Sequence, residues 1–252
     1  MRRTITTSAG NQIVEWLGGD RPGDRPVTVS RSEDYGGHRE YALKRPVDVL
    51  LASFGFMLTL PAWIVLPLII KVTDGGRVFY VQPRWGRAGK PFLAYKFRSM
   101  ADNAEAVQAR AKDPRITLIG RLMRRTALDE LPQILNILKG DMSFVGPRSL
   151  PINERQLNDP TPDMPDDAIP NFDVRSRVRP GLTGLAQMYA PRDVSRRNKF
   201  RYDALYVRRQ SLWLDLRLVF LSIWVSICGG WERRSQRTDS RPLASNFTSR
   251  TL

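Results

Sequence analysis

At 252 residues, with a formal net charge of +15 and a pI near 10.7, the chain has room for one substantial core with a small appendage but is short for two independent catalytic domains. A charge of that sign and size points to an anionic partner, whether nucleic acid, an acidic membrane surface or a phosphorylated substrate. One cysteine, Cys228, and one histidine, His38, exclude an intramolecular disulfide, argue against a Cys/His zinc site and leave only His38 for a Ser/His/Asp triad.

Residues 1–40 are rich in Arg, Gly, Pro, Asp and Ser, contain RPGDRP and lack a sustained apolar period, so they read as a disordered N-terminal tail in which His38 is solvated. Ile13, Val14, Trp16 and Leu17 form its one sticky cluster, and no apolar run follows Arg2 and Arg3 as a secretory signal requires. Residues 47–70 are the only long apolar segment, and roughly twenty residues suffice to cross a bilayer as a helix. Pro61 falls in its middle with Pro67 behind it, and each removes a backbone donor and favours a kink. Lys44 and Arg45 precede the segment, while Lys71, Arg77, Arg84 and Arg87 follow it, so both ends prefer the cytoplasmic side. A straight span and a re-entrant hairpin turning near Pro61 both stand on these residues. Asp48 is expected at the interface, paired with Lys44 or Arg45.

Residues 78–82 and 92–98 read as a β-hairpin around RWGRAGK. Alternation puts Leu93, Tyr95 and Phe97 on one face and Ala94, Lys96 and Arg98 on the other, a pair of cations opposite the core. Residues 102–110 read as a polar helix, and Asp113-Pro114 as a turn into a segment over 116–125. Thr126 then reads as the N-cap of a helix carrying Asp129 and Glu130 in its first turn and Leu131, Ile134, Leu135 and Leu138 as its apolar stripe, stopped by Gly140. Arg124, Arg125 and the helix dipole favour ionised carboxylates there. Taken alone, such a pair is first of all ordinary capping chemistry; the other reading is a nucleophile and metal ligand.

Gly146-Pro147-Arg148 and Arg179-Pro180-Gly181 are stiff turns that each hold an arginine with little entropy to lose. The Pro- and Asp-rich residues 159–170 read as a flexible insertion. Residues 211–228 are apolar and helical, but Asp215 and Arg217 leave too short a run to span. That helix lies on a membrane surface or packs on the domain, and Trp213, Trp224 and Trp231 suit either site. Residues 229–252, with Arg233, Arg234, Arg237 and Arg241, read as a disordered basic tail.

The blocks KRPVD, GGRVFYVQPRWGRAGKPFLAYKFRSM, DPRIT, RRTALDELPQ, LKGDMSFVGPR and RPGLTGLAQ, spread in order between Lys44 and Asp215, resemble the core of the bacterial sugar transferases that are monotopic phosphoglycosyl transferases. The resemblance implies a mixed α/β fold. Its parts are a re-entrant membrane helix hairpin over residues 41–71, marked by Lys44, Arg45, Asp48 and Pro61, and a small membrane-associated catalytic domain over 72–228 with a short β-hairpin and amphipathic interfacial helices. It also implies the cytoplasmic face of the inner membrane, a UDP-sugar donor, polyprenyl (undecaprenyl) phosphate as acceptor, membrane lipids as partners and no nucleic acid; a homodimer is compatible with it. By the same resemblance Asp129 is the nucleophile that displaces UMP, and Glu130 holds part of the coordination sphere of Mg²⁺. Lys96, Arg98, Arg124, Arg125, Arg148 and Arg179 bind phosphate.

Two departures stand out. Family members often read Pro-Arg-Pro where this chain has Pro147-Arg148-Ser149, and they carry a Gly-Arg pair where this chain has Tyr189-Ala190-Pro191 before Arg192. A basic nucleic-acid-binding protein would share the charge, but no helix-turn-helix, zinc or RNP-like pattern is present. A non-catalytic scaffold or anion-binding protein of the same fold is expected to have lost Asp129 or Glu130, and both are here.

Overall fold

The computed structural model describes residues 4–6, 12–14, 40–100, 113–152, 164–190 and 195–228. Within the stretch that composition marks as a tail, β1 (Thr4–Thr6) and β2 (Gln12–Val14) pair antiparallel. The expected helix over 102–110, Arg192, Trp231, the basic C-terminal tail and part of the 159–170 insertion lie outside the described residues.

The apolar segment forms α1 (Lys44–Leu58) and α2 (Leu60–Asp74), bent by 59° at Thr59. The break falls two residues before the expected Pro61. Pro61 sits in the first turn of α2, where its missing N–H costs nothing. The Thr59 hydroxyl instead donates to Gly55 O at 2.7 Å and accepts from Trp63 Nε1 at 3.3 Å, giving the chain a local polar centre at the corner. No single helix among the described residues is long and apolar enough to cross a membrane; only this bent pair has the combined length and composition.

Charged residues at the start of α1 face protein rather than a lipid interface. Lys44 is 1% exposed, and its Nζ lies 2.6 Å from Asp215 Oδ2 and 2.9 Å from Val145 O. Arg45 donates to the Ile137 and Leu138 carbonyls at the end of the helix α4 (Gln133–Lys139), satisfying groups a helix C-terminus leaves open. Asp48 pairs with neither cation; its Oδ1 accepts from Ser143 Oγ at 2.9 Å and Phe144 N at 3.0 Å. The expected Asp48 pair is therefore corrected: Lys44 and Asp48 are buried against the domain, and the three charges reach α8, α4 and β5.

β3 (Phe79–Trp85) and β4 (Pro91–Phe97) form the hairpin, in register from Phe79 opposite Phe97 to Trp85 opposite Pro91. The facing expected for β4 is overturned. Phe92 and Ala94 pack with Ala52, Ile134, Ile137 and Met142, while Leu93 is 37% exposed. Lys96 shares the packed side with Ala94, and Phe97 turns instead toward Leu66, Ile70 and Met123. β4 buries Phe92 and Ala94 on one face and Phe97 on the other, so alternation alone does not tell inside from outside.

Next come α3 (Leu118–Thr126), capped by Thr117 Oγ1 accepting from Gly120 N at 3.0 Å, and then α4, ended by Gly140 at φ 95°. β5 (Ser143–Val145) and β6 (Gly181–Thr183) pair in parallel, with the short α5 (Phe172–Arg175) in the connection between them. Gly181 and Gly146 approach so closely that a Cβ on Gly181 would stand 2.0 Å from Gly146 N. α6 (Leu185–Tyr189), α7 (Arg196–Arg209) and α8 (Leu212–Ile227) complete the fold. Of the two alternatives for α8, packing on the domain is seen: Asp215, Leu218 and Val225 are buried in it, while Trp213, Phe220, Trp224 and Ile227 are exposed along the opposite face.

Asp215→Asn leaves the Lys44 ammonium buried without its counter-charge and is expected to cost about 3–5 kcal/mol. The paired change Lys44→Met with Asp215→Leu recovers most of that loss, and thermal unfolding of the detergent-solubilised proteins measures both. A single variant as stable as wild type contradicts a buried, charged lysine.

Candidate active site

The acidic pair occupies a 3₁₀ turn, Leu128–Glu130, wedged between α3 and α4. Thr126 is not the N-cap expected. It is the last residue of α3, its hydroxyl near the Leu122 and Met123 carbonyls at 3.1 and 3.2 Å, and the chain breaks at Ala127, which adopts φ 59° and ψ 19°. A left-handed alanine costs about 1–2 kcal/mol and is held only where the surroundings demand it. Its effect is to swing the next three residues out of the helix path and under β4.

Asp129 is 6% exposed there, and the Glu130 carboxylate meets Lys96 Nζ from β4 at 2.6 Å. Burial opposes the ionisation of Glu130, but Lys96, and behind it Arg148 and Arg84, outweigh burial and hold its carboxyl down at about 2. Burial also pushes Asp129 up; Lys96 and Arg124 pull against it, while the negative charge of Glu130 adds to the rise. Two adjacent carboxyls are thus driven apart, one a fixed anion and the other more basic than an ordinary aspartate.

The predicted cations distribute unevenly around this turn. Lys96 is in direct contact with Glu130. Arg124, in the last turn of α3, acts on Asp129, and its Nη1 is buried without a hydrogen-bond partner among the described residues. Arg148 is exposed and acts on Glu130. Arg125 is exposed at the end of α3. Arg98 is 8% exposed and donates from Nε to Met100 O at 3.1 Å. The Arg179 guanidinium is committed elsewhere, to Glu40 and to Gly140 O at 3.0 Å, tying the start of the described body to the end of α4.

Sequence reasoning missed Arg84. It is 5% exposed and donates from Nη1 to Ser149 O and Oγ at 3.0 and 2.9 Å and from Nη2 to Gln82 Oε1 at 3.1 Å. Its signal was present, since Gln82 and Arg84 alternate on one face of a strand, but it was counted only as flanking charge. For a metal, Asp129 and Glu130 offer adjacent hard oxygen donors, and no group of three or more His, Cys, Asp or Glu is assembled among the described residues. That donor set suits Mg²⁺, which binds one or two carboxylates and completes its shell with substrate phosphate and water.

The described residues thus form a mixed α/β domain in which an acidic pair is flanked by Lys96 and Arg124 and which carries a bent apolar helix pair. The chain belongs to the bacterial sugar transferase family, which matches residues 39–229, and the resemblance drawn from its motifs is borne out. It is 37% identical over 191 residues to the UDP-glucose:undecaprenyl-phosphate glucose-1-phosphate transferase of Klebsiella pneumoniae, covering 72% of this chain and 39% of that protein. It is 38% identical over 193 residues to the UDP-N-acetylgalactosamine-undecaprenyl-phosphate N-acetylgalactosaminephosphotransferase of Aeromonas hydrophila, covering 74% and 44%. Against the exopolysaccharide production protein ExoY of Rhizobium meliloti (strain 1021) it is 37% identical over 198 residues, covering 71% of this chain and 83% of the relative. The chain therefore spans about two fifths of the length of the first two relatives and most of the third.

Carboxyl-carbon NMR of the metal-free protein checks the electrostatics. Glu130 is expected to stay ionised down to about pH 2, while Asp129 takes up its proton above the ordinary aspartate range. Lys96→Met removes the leading cation from both groups, so as pH is lowered both carboxyls are expected to take up their protons at a higher pH than in wild type. A titration in which Asp129 is the more acidic of the two contradicts this arrangement.

Proposed function

We propose that the protein transfers a sugar phosphate from a UDP-sugar to polyprenyl (undecaprenyl) phosphate, releasing UMP, at the start of exopolysaccharide or glycoconjugate assembly. The observation that carries this reading is the Asp129–Glu130 turn with its separated ionisations, enclosed by Lys96 and Arg124 in a family of sugar transferases. Relatives named as undecaprenyl-phosphate sugar-phosphate transferases and as exopolysaccharide production proteins support it.

In the first step an Asp129 carboxylate oxygen bonds to the sugar-bearing phosphorus of the donor, and the bond from that phosphorus to the bridging oxygen of UMP breaks. In the second step a phosphate oxygen of the polyprenyl phosphate bonds to the same phosphorus, and the Asp129 carboxylate leaves. Asp129 suits the nucleophile because its environment makes it the more basic carboxyl, whereas the charge of Glu130 is tied to Lys96. Lys96, Arg124 and Arg148 would receive phosphate charge, with Arg98 and Arg125 nearby in sequence as further cations. Mg²⁺ held partly by Glu130 would supply charge neutralisation at the phosphates.

The membrane reading rests on apolar surface. Leu50, Phe54, Met57, Leu58, Ile64, Leu68 and Val72 are 63–77% exposed along α1 and α2. Leu118 and Leu122 on α3 and the outer face of α8 are exposed as well. We read the α1–α2 pair as re-entrant in the inner membrane from the cytoplasmic side, with α3 and α8 at the interface.

Purified protein given UDP-sugars and undecaprenyl phosphate should release UMP. Asp129→Asn should lower turnover by about 10⁴-fold or more, because an amide cannot form the acyl phosphate. Mass spectrometry of wild type with donor alone should find a phosphosugar on Asp129. Glu130→Gln should be severely impaired and EDTA should stop the reaction; unchanged turnover in EDTA refutes the metal role. For topology, cysteines at Arg39 and Arg87 in a Cys228→Ser background should both be labelled only from the cytoplasmic side. Labelling from opposite sides would establish a span and overturn the re-entrant reading.

A further inference from the structure

The turn bearing Arg148 is held far more firmly than a turn needs. Three successive main-chain carbonyls each accept from a different element: Pro147 O from Gly181 N at 2.9 Å, Arg148 O from Arg175 Nη2, and Ser149 O from Arg84 Nη1 at 3.0 Å. Both guanidinium groups are buried, Arg175 at 4% exposure and Arg84 at 5%. Arg175 has its counter-charge in Asp203, 2% exposed on α7 and 2.9 Å from Arg175 Nε, and it stacks 4.5 Å from the Phe200 ring. Burial pushes the Asp203 carboxyl up, opposed by Arg175 and by the backbone N–H and charge of Arg148.

Burying two guanidinium groups is costly unless they are paired and fully hydrogen-bonded. Directing both at one dipeptide backbone makes sense where the side chain above must not move. That side chain is Arg148, exposed and among the charges that hold Glu130 ionised. A fixed main chain leaves only the side-chain torsions to be frozen when an anion is captured, which lowers the entropic cost of binding. Ser149 fits the same logic. Its hydroxyl accepts from Arg84 Nη1 at 2.9 Å, a second tie between that guanidinium and the turn.

We propose that Arg175, backed by Asp203, and Arg84, backed by the Ser149 hydroxyl, are positioning residues that aim the Arg148 guanidinium at the diphosphate of the nucleotide-sugar donor. This rests on the transferase reading above. Arg175→Lys keeps the charge but lacks the fork needed to hold Asp203 and Arg148 O together. It is expected to raise the donor KM by about tenfold while leaving the acceptor KM within about twofold. Ser149→Ala should raise the donor KM by about threefold and Ser149→Thr should restore it, because only the hydroxyl is tested.

The decisive measurement is coupling. Once Arg148→Ala has removed the guanidinium, Arg175→Lys or Ser149→Ala should change the donor KM by less than about twofold. Effects that multiply overturn the proposal, as does a lowered melting temperature with an unchanged donor KM. Should Arg175→Lys not fold, the near-isosteric Asp203→Asn carries the same cycle with Arg148→Ala. Calorimetric titration of UDP into these proteins in magnesium buffer reads the positioning without turnover. UDP binding with the expected coupling but no UMP release from any donor sinks the transferase reading and leaves the positioning intact; turnover without coupling does the reverse.

Discussion

The buried pair between Lys44 and Asp215 sets the geometry on which everything else in the molecule depends. A lysine at 1% exposure is tolerable only if its charge is met, and here Asp215 and Val145 O meet it. Asp215 is itself surrounded: the Tyr41 hydroxyl donates to Oδ2 at 2.7 Å, and the Tyr206 hydroxyl lies 2.8 Å from Oδ1. Burial, followed by the neighbouring Asp215, pushes both phenols up, so both remain protonated donors at any physiological pH. Within the same turn of α1, Arg45 closes the end of α4 and Asp48 holds the start of β5. Three charges on one helical turn therefore join three elements, and the apolar helix pair becomes part of the catalytic domain's own core rather than an appended anchor.

That linkage reaches the acidic turn by a short route. α4, whose C-terminal carbonyls Arg45 caps, begins three residues after Glu130, and its Ile134 touches the position of Gly55 on α1 closely enough that an added Cβ would meet it at 3.9 Å. β4 is gripped from the same helix: Asn136 accepts from Tyr95 N at 3.1 Å and donates to Leu93 O at 2.7 Å. Lys96, the next residue along, is thereby fixed against Glu130. The carboxyl separation is a consequence of this packing, because Asp129 is buried beside a neighbour whose charge is already neutralised by a cation it cannot fully share.

The sequence carried the parts with local signals. The apolar segment, the hairpin, the Gly140 stop and the Asp129–Glu130 pair follow from hydrophobic period, turn residues and charge. What it hid was conformation without a residue signature and contact without sequence proximity. A left-handed Ala127 has no compositional mark, so Thr126 reads as a cap when it is a helix end. The orientation of Lys96 was misread because Phe92 and Ala94 are buried on one face and Phe97 on the other, which removes the polar side that alternation relies on. Lys44 and Asp215 are 171 positions apart, and Arg179 and Glu40 are 139, so each looked like a flank charge or a phosphate ligand when taken alone.

The arrangement also bears on how a soluble donor and a lipid-borne acceptor would meet. The exposed apolar faces belong to α1, α2, α3 and α8, and α3 is the helix that ends directly in the acidic turn. On α3 the exposed Leu118 and Leu122 are interleaved with the exposed Arg121 and Arg125, and under the proposed interfacial placement of this helix its cations would lie at headgroup level. An acceptor phosphate travelling in the plane of such a surface would approach the end of α3 through that cationic fringe, where Arg124 Nη1 is buried without a partner among the described residues beside Asp129. In the proposed reading the donor diphosphate would meet a separate cation, Arg148, whose turn is anchored by Arg175 of α5 backed by Asp203 of α7. Under the proposed two-step transfer, these two groups of cations would give the acceptor and donor phosphates separate electrostatic approaches to the one Asp129 carboxylate.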